Sequence, residues 1–289
     1  MRAVTRDEAT KLKEEGERKR EKIDKRNVYL LREGGKVQYP RLTVSFTHTG
    51  AVIMANSPAA DSLSAEELEK RTNSFNARRN LLKMNPSLYV SKTRLSVRQI
   101  PPGVTEYMLK RLANYAIREF EEEAGRGDRE PLDPAEMEGE AERDKEKKGK
   151  KSKQKVKQAK IVREMNKVDA LTGKGKSKGY GFLELHKHED ALRVVRWANN
   201  NRAVGELWDG WWKSEVAELT RKEKGDGEEG AKRLKELAEE AQREESRWKA
   251  TKKTLIVEFS VENIQVTERR KSRQTISSVC LFLQFASCI

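Results

Sequence analysis

Lys178-Gly179-Tyr180-Gly181-Phe182-Leu183-Glu184-Leu185 is the stretch on which the fold of this 289-residue chain turns. Read as a strand, its side chains alternate between two faces, so Lys178, Tyr180 and Phe182 project together while Leu183 and Leu185 point the other way. One face is then basic and aromatic and the other apolar, the pattern of a sheet covered by helices on one side. Were the two rings core residues, the two leucines would face solvent instead.

Working outward, Leu95, Val97 and the run to Ile100 alternate as a strand that Pro101-Pro102-Gly103 ends. Thr105 caps a helix in which Leu109, Leu112, Ala113, Ala116, Ile117 and Phe120 keep helical spacing. Lys160 to Met165 reads as a short second strand, and Asn166 to Ser177, with Gly173 and Gly175, as a turn leading to the strand at 179 to 185. Ala191, Leu192, Val195 and Ala198 mark a second helix, capped by His188 and ended by Asn199-Asn200-Asn201. Thr254 to Phe259 is the last strand. Two inserts interrupt this order. Residues 121–158 form an acidic block up to Glu140, then a basic one, with nine lysines and one acid between Lys145 and Lys160. Residues 206–252 carry Trp208, Trp211 and Trp212 and an expected helix from about Glu228 to Lys249. Without the inserts the order is β-α-β-β-α-β, an α+β, ferredoxin-like arrangement of four antiparallel strands with two helices on one face.

Ahead of this domain, set at 91–265, Asn27 to Leu31 reads as a short extended run within a charged lead of residues 1–33, and 34–63 as an irregular linker. A helix over about Ala65 to Lys83, within the segment 64–85, is signalled by Ser64 with Glu67 as a capping box and Leu63 with Leu68 as a staple. Leu68, Phe75 and Leu82 give it one narrow apolar stripe, and Asn85-Pro86 stops it. Its expected role is packing on the neighbouring domain. Residues 266–289, basic and then uncharged, read as a disordered tail.

Composition narrows the function. The chain is 37% charged and only 35% hydrophobic, too polar for one large core, and 61 Lys and Arg against 47 Asp and Glu leave a net charge of +14, which favours a polyanionic partner. Both cysteines, Cys280 and Cys288, lie at the end, which excludes a disulfide framework or a CxxC zinc site from the body of the chain. With no apolar leader and no run of 18 apolar residues, a soluble intracellular protein is expected. Gly173-Lys174-Gly175-Lys176-Ser177 lacks the earlier glycine of a phosphate-binding loop, since Ala170 stands there, and reads as a connecting loop. His186 and His188 have no third ligand nearby, so no metal is expected, nor any cofactor, and no nucleophile and base can be named for catalysis.

The 178–185 stretch follows the RNP1 pattern of the RNA recognition motif (RRM), with Leu183 and Leu185 as apolar substitutes, and the chain resembles that family over residues 93–260 once the inserts are excluded. The resemblance implies that Tyr180 and Phe182 stack unpaired bases and that Lys178 neutralises a phosphate. Gly179 and Gly181 are expected to leave room for the strand and a nucleic-acid backbone to approach closely. The first strand is a poorer match, with Ser96 where the family has an aromatic, so modest affinity is expected from this module alone. Arg98, Ser96, Arg163 and Glu258, with Ile256, are expected to share the RNA face. Lys150, Lys151, Lys153, Lys155 and Lys157 form a candidate basic arm for phosphate contact, or else a solvated tail or a nuclear-localisation patch. The three tryptophans suggest packing of the insert, or a stacking or protein-docking surface.

A closer likeness lies in Thr5-Arg6-Asp7-Glu8-Ala9, Arg26 to Gly34, Asn56 to Ala60, Leu63-Ser64-Ala65, Ser91 to Arg98, and Leu255 to Asn263. These stretches resemble the C-terminal part of the fungal nucleolar Nop-type proteins with four RRMs and their vertebrate RNA-binding-motif relatives. That resemblance implies single-stranded pre-rRNA as ligand, pre-ribosomal proteins as partners, a place in the nucleus and nucleolus, and a role in rRNA processing and large-subunit ribosome biogenesis. It also implies that the chain starts where an upstream RRM is finishing. The other class of reading is an RRM-like scaffold that binds proteins through its helices and the tryptophan insert, with incidental RNA contact.

Overall fold

The computed structural model describes residues 26–31, 60, 63–133, 136, 154–168, 175–222, 254–270, 272–273 and a few helical positions between 235 and 246. Strands β1 (Leu88–Arg98), β2 (Val156–Val168), β3 (Gly175–Leu185) and β4 (Ile256–Asn263) form one antiparallel sheet in the order β2-β3-β1-β4. Helix α1 (Ala65–Met84) precedes β1, α2 (Glu106–Arg126) follows it, and α3 (His188–Ala198) and α4 (Ala203–Lys222) follow β3. The architecture is α+β and RRM-like, as the strand and helix order anticipates.

Two-residue periodicity divides the sheet. Leu95 and Val97 of β1, Ala159 and Ile161 of β2, Leu183 and Leu185 of β3 and Val257 and Phe259 of β4 are buried in one core with Leu109, Leu112, Ala113, Ala116, Ile117 and Phe120 of α2 and Ala191, Leu192 and Val195 of α3. Thr105 caps α2 by accepting from the Met108 amide at 3.2 Å, and Gly127, at φ 82°, ends it. The helix therefore runs past residue 121, where an insert was expected to begin.

Gly179 and Gly181 have different reasons. Gly179 holds φ at 76°, opposite a kink at Gln99 with φ 62°, and its carbonyl accepts from the Ile100 amide at 2.9 Å. A Cβ on Gly181 would lie 2.7 Å from the Lys160 carbonyl oxygen and 3.3 Å from Ile100 Cδ1, so the space it leaves is filled by the protein's own β2 and core. The room expected there for a nucleic-acid backbone is not what Gly181 provides.

Several boundaries differ from expectation. Val28–Leu31 is a 3-10 turn, not an extended run, and buries Leu30 and Leu31 against β1, β4 and α1. β2 starts at Val156 and so takes in Lys157, which bonds Glu184 across the strand pair; Lys155 lies 3.4 Å from Glu121. Neither belongs to a free arm, while Lys150, Lys151 and Lys153 lie outside the described residues. Gly175 to Ser177 are strand rather than turn. The tryptophan stretch of the second insert is helical: α4 buries Trp208, Trp211 and Trp212, with the Trp212 ring under Gly103 and Tyr115 edge-on to both Trp211 and Trp197. Most of the helix expected at 228–249, the linker at 34–59 and the tail from 274 lie outside the described residues, but 264–270 is helical where tail was expected.

His188 is the first residue of α3, and no side chain caps that helix at Lys187. Instead, its Nδ1 sits 2.8 Å from the Lys92 carbonyl oxygen and its ring lies beside Phe259. Burial pushes the imidazole below its ordinary value, so the folded chain favours the neutral ring. As pH falls through the ordinary imidazole value of about 6.5, the unfolded chain takes up a proton that the folded chain resists, and stability is lost. Asp190, raised by burial, acts with the opposite sign in the lower, carboxylate range. The thermal midpoint is expected to fall between about pH 7.5 and 5.5, and His188→Gln to flatten that slope; calorimetry of both chains across that range checks it.

Candidate nucleic-acid interface

The sheet face away from α2 and α3 is the candidate surface. Lys178, Tyr180 and Phe182 of β3 share it with Ser96 and Arg98 of β1, where Ser96 pairs with Phe182 and Arg98 with Tyr180. Glu258 and Ile256 of β4 extend the same rows, opposite Ser96 and Arg98. Lys160 joins them from β2, opposite Phe182, and sequence reading missed it although its parity relative to the buried Ala159 and Ile161 is legible. Arg163 does not join them. It has the same parity as Ile161 and turns to the helix side, where its Nε donates to Glu106 at the start of α2 at 3.2 Å and its Nη1 to the Gly175 carbonyl at 3.2 Å.

Half of this face is closed. Helix α1 starts at the expected cap, the Ser64 hydroxyl accepting from the Glu67 amide, packs near β1 and reaches β4 through its arginines. Phe75 and Leu82 are buried on its packed side, as its apolar stripe suggests, but so is Arg71. The Arg71 guanidinium reaches Asn199 Oδ1 at 3.1 Å and Thr254 Oγ1 and the Leu255 carbonyl at 3.2 Å, tying α1 to the end of α3 and the entrance of β4. Arg78 donates to the Phe259 carbonyl at 2.8 Å and approaches Glu258 Oε2 to 2.7 Å. Arg98 binds both that Glu258 carboxylate and the Ser74 hydroxyl of α1. Burial lowers the pKa of Arg71 and Arg78, and the neighbouring carboxylates, Glu67 and Glu258 respectively, pull it back up. Glu258, only 2% exposed, is therefore part of an intramolecular seam rather than an open surface, and Ile256 of the same row is buried too. The expectation that Glu258 faces a ligand gives way to an ion cluster beneath α1, at whose rim Arg98 is bonded but keeps 35% of its side chain exposed.

The other half is open. Tyr180 is 37% exposed, and Lys160, Lys176 and Lys178 are exposed around it. Phe182 is half-buried because the Arg94 guanidinium carbon lies 4.6 Å from its ring centroid, a cation–π contact that sequence reading did not anticipate. Arg94 is held from the far side by Glu262, at 2.8 Å. On β1, both outward arginines are thus neutralised by a β4 acid, and the exposed positive charge gathers on β2 and β3. Such a surface can stack a base on Tyr180 and contact phosphates through the lysines.

Among the described residues no group of three His, Cys, Asp or Glu is placed to hold a metal, and no helix is long and apolar enough to cross a membrane. No family model and no solved structure matches the chain. The chain is similar to RNA-binding protein 28 of Homo sapiens, 29% identical over 202 residues that cover 70% of this chain and 20% of that protein. It thus spans about a fifth of that relative's length.

Removing one member of the buried cluster leaves the others' charges without compensation. Glu258→Ala is expected to lower stability by about 3–5 kcal/mol, against almost no change for Glu66→Ala in the exposed Lys70–Glu66 pair; urea unfolding of both variants measures the difference.

Proposed function

We propose that the chain is an RNA-binding protein that takes unpaired RNA on the open half of its sheet. The observation that carries this is the exposure of the Tyr180 ring, in the row of Lys178 and Phe182 and with Lys160 opposite Phe182, on the sheet face away from α2 and α3. The likeness to a human protein named for RNA binding supports it. Because α1 occupies β4, the footprint is short, running over β1, β3 and β2, and affinity draws on phosphate contacts by lysines as much as on stacking. The reading assigns no reaction and no cofactor to the chain.

The finer reading is single-stranded pre-rRNA recognition in large ribosomal subunit biogenesis, in the nucleolus and beside pre-ribosomal proteins. Its support is the set of resembling segments from Thr5 to Asn263, which includes Ser91 to Arg98 of β1 and Leu255 to Asn263, the stretch that contains β4. The scaffold alternative has proteins docking on the helices and the tryptophan insert, and burial of Trp208, Trp211 and Trp212, with Trp211 against Tyr115 of α2 and Trp212 under Gly103, leaves the helices as its remaining surface.

In the full chain, replacing Tyr180 and Phe182 together by Ala is expected to reduce ultraviolet crosslinking to single-stranded RNA by at least about tenfold, since each stacked base is worth roughly 1–3 kcal/mol. Binding of the unaltered chain should also weaken steeply as salt rises. Unchanged crosslinking in the double variant would overturn the proposal.

A further inference from the structure

By its rings alone, the open face offers two platforms, because Ser96 stands where a third aromatic is expected, and one of those rings is covered. We propose that the covering group, the Arg94 guanidinium, is itself a stacking platform: a flat surface, laid over Phe182 and fixed by Glu262, that receives an unpaired RNA base. The proposal rests on the RNA-binding reading above and adds a contact residue to it.

The geometry is that of a prepared surface. Arg94 lies two residues from Ser96 on the same face of β1, diagonal to Phe182, with its Cζ 4.6 Å from the ring centroid. Its Nη1 donates to Glu262 Oε1 at 2.8 Å. Glu262 is held in turn by the Tyr89 hydroxyl at 3.3 Å and by Arg270 at 3.5 Å, while Tyr89 also meets the Thr267 hydroxyl at 3.2 Å. The Arg94 amide donates to Ser91 Oγ at 3.3 Å, within the irregular segment where β1 leaves its register with β4. A guanidinium bonded to Glu262 and resting on Phe182 has already given up much of its rotamer freedom, so a base that stacks on it need not supply that ordering cost. Guanidinium planes stack bases as aromatic rings do, and their in-plane N–H groups remain donors to a base edge or phosphate. Arg98, the other outward arginine of β1, is more exposed than Arg94, 35% against 18%, but its guanidinium is committed to Glu258 and to Ser74 of α1, whereas that of Arg94 rests on the Phe182 ring.

Arginine's plane and arginine's charge are separable, which makes the inference testable. Using the full chain and a fluorescein-labelled, mixed-sequence single-stranded RNA, anisotropy titrations should show Arg94→Ala binding about tenfold more weakly. Arg94→Lys should lose nearly as much although it keeps the charge, and its salt dependence should match that of the unaltered chain. Glu262→Gln should show a smaller loss, and the thermal midpoint of Arg94→Lys should stay close to that of the parent. If Arg94→Lys binds as well as the parent, only the charge matters and the platform is refuted. If Arg94→Ala binds more tightly, the guanidinium is a cap that RNA must displace, which equally refutes it. Tyr180→Ala in the same titration separates the two levels: weakened binding there with unaltered Arg94 variants removes only this inference, whereas no weakening removes the RNA reading with it.

Discussion

Glu258 is a carboxylate almost without water, and its need for compensating charge organises the surface around it. Desolvating such a group is repaid only by partners in good geometry, and here the partners are Arg98 on the adjacent strand and Arg78 on a helix outside the sheet. Satisfying the charge therefore requires α1 to dock, and docking brings Phe75 and Leu82 into the core and Arg71 against Asn199 and Thr254. The sheet is split as a result. Its β4 side is consumed in holding the domain together, and its β3 and β2 side keeps the exposed ring and the exposed lysines. A fold that in outline offers four strands to a ligand offers closer to three.

Much of this was legible in the amino-acid sequence, and the rest was hidden for identifiable reasons. Period-two alternation around Tyr180 and Phe182 and period-3.6 spacing in α2 depend on apolar side chains whose burial is the main driving force, so strand, helix and facing direction follow from them. The start of α1 was readable from Ser64 and Glu67, because a cap is a local bond. What α1 covers was not. Arg71 and Arg78 look like solvated charges on a polar helix, and only partners distant in sequence, Thr254, Glu258 and Phe259, reveal that they are buried. Lys155 and Lys157 were read as part of a loose run because composition describes neighbours along the chain, whereas Glu121 and Glu184 are neighbours in space. The misplacement of Arg163 has a different origin: the alternation that was applied to β3 puts it, with Ala159 and Ile161, on the helix side of β2.

The two sides of the sheet also differ in how far the chain must travel to make them. Arg163 meets Gly175 across 12 residues, while Arg78 meets Phe259 across 181. Loop-closure entropy delays contacts of the second kind, so the topology orders assembly: the β2–β3 ribbon comes early and the seam along β4 comes late. Until that seam forms, β4 presents an uncovered edge with an acid at its centre that only Arg98 of the neighbouring strand compensates, the state in which a nascent sheet is most exposed to pairing with the wrong chain. Helix α1 thus doubles as an edge guard, and the lateness of its docking makes the interval before closure the vulnerable stage in this protein's biogenesis.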